Sequence, residues 1–122
     1  MWLRELEEKF LPLVSVTDKE QREYILYILK KLDQQLLTKG YKGLTFFHSV
    51  TLYNHLVNLC SRGLVEELDE GVFGDLEEKY PIAYGLAGYI LSLMEERFPG
   101  VNQKGERQHL TIILSDLTDR IN

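Results

Sequence analysis

Three residues that could do chemistry together, His48, His55 and Arg62, stand seven residues apart in the segment HSVTLYNHLVNLCSR. On a helix that spacing puts them on nearly one face, two turns apart, with Leu52 and Leu59 between them. Imidazole titrates near neutrality, so a neutral ring nitrogen of His55 can attack a phosphoryl donor. By analogy with other phosphorylated side chains the product would carry about −1.5 to −2 charge units, which Arg62 and a protonated His48 are placed to attract. At a helix pair or a dimer interface, that added charge could reweight two packings. The plainer reading makes His55 a half-buried helical histidine and His48 a ring near a helix N-terminus, where a positive charge opposes the macrodipole.

Other chemistries find less support. The histidines lack a zinc-site spacing, because His48 and His55 are two turns apart rather than the one turn that suits chelation on a helix. Cys60 is the sole cysteine, so no internal disulfide can form, and its place on an apolar stripe suggests a small buried hydrophobe. A reducing cytoplasm is expected. No nucleophile–base pair, phosphate-cradling glycine loop or ligand cluster is visible, so a non-enzymatic protein with no cofactor and no metal is expected. Fourteen Lys and Arg against nineteen Asp and Glu give a net charge of −5 without a basic run. That balance argues against direct nucleic-acid binding. The charged start MWLRELEEK is unlike a signal peptide, and no stretch approaches the about 20 apolar residues needed to span a bilayer.

The elements that must position the histidines are helical throughout. Trp2, Leu6 and Phe10 predict a short amphipathic extension before Pro12. Thr17-Asp18-Lys19-Glu20 reads as a capping box that opens the first long helix, with Ile25, Ile28, Leu29, Leu32 and Leu36 as its stripe and Gly40 as its stop. In the next helix Phe46, Val50, Tyr53, Val57 and Cys60 are expected to face the core, with the His48-His55-Arg62 stripe rotated away from them and Gly63 marking the exit region. Asp69-Glu70-Gly71 reads as a turn beside a solvated acidic loop, and Val72 to Tyr80 as a short helix. Pro81 suits the first turn of another helix, with Leu86, Ala87, Ile90, Leu93, Met94 and Phe98 buried. There Ala83, Gly85, Ala87 and Gly88 would permit close approach of a neighbour. After Pro99-Gly100, a last stripe runs through Leu110, Ile113, Leu114, Leu117 and Ile121. Tyr24, Tyr27, Tyr84 and Tyr89 are expected to divide between core and interface, and His109 to sit at a boundary. The expectation is an all-α fold: a compact five-helix bundle of antiparallel helix pairs, residues 17–122, with an N-terminal helical extension, residues 1–16.

The string Leu52-Tyr53-Asn54-His55-Leu56 followed by Arg62 resembles the first phosphorylatable-histidine motif of PTS regulation domains, the regulatory modules of bacterial sugar operons. Lys79-Tyr80-Pro81 with Tyr84, Leu86 and Ala87 is similar to that family's Tyr-Pro segment, and Glu106 with Leu110 to its fifth helix. The resemblance covers roughly residues 18 to 121, and the ordered set carries it rather than any single motif. It implies a cytoplasmic transcription-regulating module of the phosphotransferase system, probed by phosphorylation of His55, with Arg62, His48 and Asn54 in support. The phosphate donor it implies is the phosphocarrier protein or an enzyme II component. Homodimerisation and an unidentified regulatory partner protein follow from the same resemblance, since no nucleic-acid-binding module accompanies the helices. Two departures stand out: Asn54 replaces the usual Asp, and Ile113 falls where a second histidine is expected. They favour the alternative, a constitutive structural or interaction protein of the same fold that is not phosphorylated.

Overall fold

The computed structural model describes residues 2–13, 19–62, 75–101 and 104–118. These residues form helices and turns with no strand among them, which places the protein in the all-α class. The chain divides into two compact units, Met1–Leu59 and Cys60–Asn122.

The first unit opens with α1 (Trp2–Glu5), which runs into a π-helical turn (Leu6–Phe10) and a 3₁₀ turn (Leu11–Leu13). Proline explains why the α-geometry does not continue. Pro12 has no N–H to offer the carbonyl four residues before it. The wider turn is closed instead by the Leu11 N–H, which donates to the Leu6 carbonyl five residues back. The extra residue per turn changes the buried set. Trp2, Leu6 and Leu11 are buried, whereas Phe10, expected in that stripe, is half-buried.

The first long helix, α2 (Lys19–Thr38), buries Ile25, Ile28, Leu29, Leu32 and Leu36, the stripe its spacing predicts. Thr17 and Asp18 of the expected capping box lie outside the described residues. At the other end the Tyr41 N–H donates to the Leu36 carbonyl and the Gly40 N–H to that of Leu37. With Gly40 at φ +93° this is a Schellman stop, and glycine takes the positive φ without steric cost. The connection to α3 (Phe46–Arg62) is fixed by Asp33, whose Oδ1 accepts the Leu44 N–H at 2.8 Å.

In the second unit, Asp75 caps α4 (Leu76–Lys79) by accepting the Glu77 and Glu78 N–H groups. Asp69-Glu70-Gly71, Gly63 and residues 72–74 of the expected short helix lie outside the described residues. Pro81 occupies the first turn of α5 (Pro81–Arg97), as its missing amide allows. Ala83, Leu86, Ala87, Ile90, Leu91 and Met94 are buried there. Leu91 thus takes the place expected for Leu93, and Phe98 forms the half-buried cap, its N–H bonded to the Met94 carbonyl.

The last helix, α6 (Lys104–Ser115), packs on α5 and buries Leu110 and Leu114 as its spacing predicts. Ile113 and Leu117, expected beside them, are only half-buried, and Ile121 lies outside the described residues. Their places are taken by polar side chains: Glu106, Gln108 and Thr111 are buried. At Gly88 the Arg107 side chain of α6 lies against α5. A methyl group there would come within 2.8 Å of the Arg107 guanidinium, whereas one at Gly85 would meet nothing.

Candidate functional site

The histidine stripe lies on α3, whose start is built by Thr45. Its Oγ1 accepts the His48 N–H at 3.1 Å, and its carbonyl accepts the Ser49 N–H, the first bond of the helix. Those are the two duties of an N-cap. The His48 ring joins the same cap, with Nδ1 2.7 Å from Thr45 Oγ1. The Phe47 ring stands edge-on to it at 5.6 Å.

The buried face of α3 differs from the expected one. Ser49, Leu52, Tyr53, Leu56 and Leu59 are buried, while Phe46, Val50, Val57 and Cys60 are half-exposed. Only Tyr53 belongs to both sets. The helix is therefore rotated toward its leucines, and two of these, Leu52 and Leu59, sit between the histidines. His48 and His55 accordingly border the core rather than standing on a face turned away from it, and both are half-buried. Cys60, expected inside, is partly exposed.

Seven residues of helix separate the two histidines by about 10 Å along the axis. Side chains on a helix lean toward its N-terminus, so the His48 ring, held at Thr45, is directed away from His55. It can act on a charge at His55 only through space. Asn54 is exposed, and as the immediate neighbour of His55 it points about 100° away around the helix. Arg62 lies in the last turn of α3, and its side chain is outside the described residues. On α6, His109 is half-buried, at the boundary its position suggests.

Three further features lie outside the histidine motif, and only the third leaves a trace in the sequence. Tyr53, two residues before His55, is buried in the core with a hydroxyl that has no hydrogen-bond partner among the described residues. Burial pushes its acidity constant above 10.0, and the nearby Arg22 charge offsets part of that rise. A groove of about 650 Å³ runs between Glu7, Leu11 and Pro12 on one side and Arg22, Leu26 and Lys30 of α2 on the other. In the second unit, Arg107 lays its guanidinium over the Tyr84 ring at 3.7 Å and donates from Nε to the Tyr84 carbonyl at 3.0 Å. Gly88 is the one visible trace of that contact in the sequence.

Among the described residues no group of three or more His, Cys, Asp or Glu could hold a metal ion. No described helix is long and apolar enough to cross a membrane. No family model, curated protein or solved structure matches the chain.

Proposed function

We propose that this chain is a phosphorylation-responsive regulatory module of the type its histidine motif resembles, a PTS regulation domain, with His55 as phosphoacceptor. The observation that supports it best is the position of His55: half-buried, in the middle of a long helix, at the edge of a leucine-rich core face. A ring there is partly open to a donor, and a charge added there lies next to packed apolar surface, where it costs most. Arg62 is the cation for that phosphate, and His48 contributes at longer range. The donor is the phosphocarrier protein or an enzyme II component. Output passes through a homodimer and a regulatory protein partner in the cytoplasm, from a bundle of five core helices in antiparallel pairs.

A second reading, an interaction protein that is never phosphorylated, draws on the His48 ring's engagement with its helix cap and on Ile113 and Asn54. One experiment separates them. The chain is incubated with enzyme I, the phosphocarrier protein and labelled phosphoenolpyruvate. Acid-labile label that disappears in His55→Ala, with helical circular dichroism unchanged, supports the switch. No label, or equal label on His55→Ala, overturns it in favour of the interaction protein.

A further inference from the structure

We propose that residues 2–13 are a strap that undocks as a unit from the rest of the first unit while α2 and α3 stay folded. The proposal stands apart from any role of His55. Two features of the docked strap are energetically unfavourable. The first is a stranded hydroxyl at its contact with α3: Phe10 stands edge-on to Tyr53 with ring centroids 5.9 Å apart, and the Tyr53 hydroxyl is buried without a partner among the described residues. Water admitted there when the strap lifts would satisfy that hydroxyl. The second is its seam with α2, where the groove between Leu11 and Leu26 leaves the interface partly unfilled. Unfilled space holds little apolar contact.

What favours docking is the burial of Trp2, Leu6 and Leu11 and the edge-on packing of the Phe10 and Tyr53 rings. The ion pairs Arg4–Glu8 and Lys9–Glu5 do not contribute to it, because each joins residues four apart within the strap and both are exposed. They support the strap's own helix, docked or not.

Trp2 is the only tryptophan and is buried in the docked state, so its emission reports docking directly. In a urea titration of the full chain, the red shift of Trp2 is expected to precede the loss of helical ellipticity. By hydrogen exchange, amides of residues 6–11 should exchange about 100-fold faster than those in the middle of α2. Tyr53→Phe, which removes the stranded hydroxyl, should slow strap exchange about tenfold. Phe10→Ala should red-shift Trp2 in native buffer and leave the ellipticity unchanged. A Trp2 transition coincident with helix loss, strap amides as slow as those of α2, or a Phe10→Ala chain that unfolds throughout would each overturn the proposal.

Discussion

Two regions, the helices α4 to α6 of Cys60–Asn122 and the link after α2 in Met1–Leu59, satisfy their polar groups by different means. In the first, side chains act on nearby helix backbone. Asp75 caps the turn that follows it, Thr111 donates to the Arg107 carbonyl one turn back, and Arg107 reaches across to the Tyr84 carbonyl. In the link after α2, fixed backbone geometry takes the larger share. Two glycines at positive φ, Gly40 and Gly43, shape the link after α2, and a single Asp33 oxygen receives the Leu44 amide. Within the same unit the Tyr53 hydroxyl is left unsatisfied. The difference teaches where substitution is tolerated: a side chain that can swing aside yields, and a backbone held at positive φ does not.

The sharpest test of that contrast is Gly43→Ala. Its φ of +88° is one that L side chains rarely adopt, and the new methyl would lie 2.6 Å from Asp33 Oδ1 and 3.3 Å from Leu37 Cδ2. Backbone strain and overpacking together should cost about 2 to 5 kcal/mol, read as a lower urea midpoint. Asp33→Ala comes next. It strands the part-buried Leu44 N–H and should cost about 1.5 to 3 kcal/mol by the same measurement. The two changes share one contact, so the double variant should lose less than the sum of the singles. Strict additivity would mean that Asp33 does not brace Gly43.

The unsatisfied tyrosine yields a pH prediction. A phenol whose folded-state acidity constant is raised holds its proton where the unfolded chain has already lost it. Stability is therefore fully present below pH 10 and falls as the pH rises from there toward the folded-state value. Tyr53→Phe should flatten that alkaline decline, and at neutral pH it should raise stability by about 1 kcal/mol through loss of the unpaired hydroxyl. An unchanged alkaline slope in denaturant titrations at pH 9 to 11 would assign the decline to other groups.

These regions also show how far the amino-acid sequence could be read. The apolar spacing of α2, its Gly40 stop and the Pro81 start of α5 were legible because each rests on local rules of helix geometry. The buried face of α3 was not. Two apolar arcs compete on that helix, and the aromatic and β-branched arc from Phe46 to Cys60 reads as strongly as the leucine arc. Which one is covered depends on what packs against it, not on spacing. On α6 the pattern failed for a second reason: Glu106, Gln108 and Thr111 are buried, and polar residues inside leave no hydrophobic trace. For the candidate site, the shared stripe of His48 and His55 followed from their seven-residue interval. The engagement of the His48 ring with Thr45 depends on rotamers that spacing does not encode.

Gly88→Ala, the counterpart of Gly43→Ala in the second unit, should have the smallest effect. Its methyl would lie 2.8 Å from the Arg107 guanidinium, nearly as close as the Gly43 methyl to Asp33. Here, however, the φ is helical and the obstacle is the far end of a flexible side chain. Alanine gains about 1 kcal/mol of helix propensity over glycine. Moving the guanidinium off Tyr84 forfeits a cation–π contact of comparable size, about 0.5 to 2 kcal/mol. The two nearly cancel, so the urea midpoint should shift little. In an Arg107→Ala background nothing remains to displace, and the same change should stabilise by about 1 kcal/mol. If Gly88→Ala instead costs as much as Gly43→Ala in both backgrounds, α5 and α6 are held as rigidly as the link after α2, and the contrast between swinging side chain and fixed backbone fails.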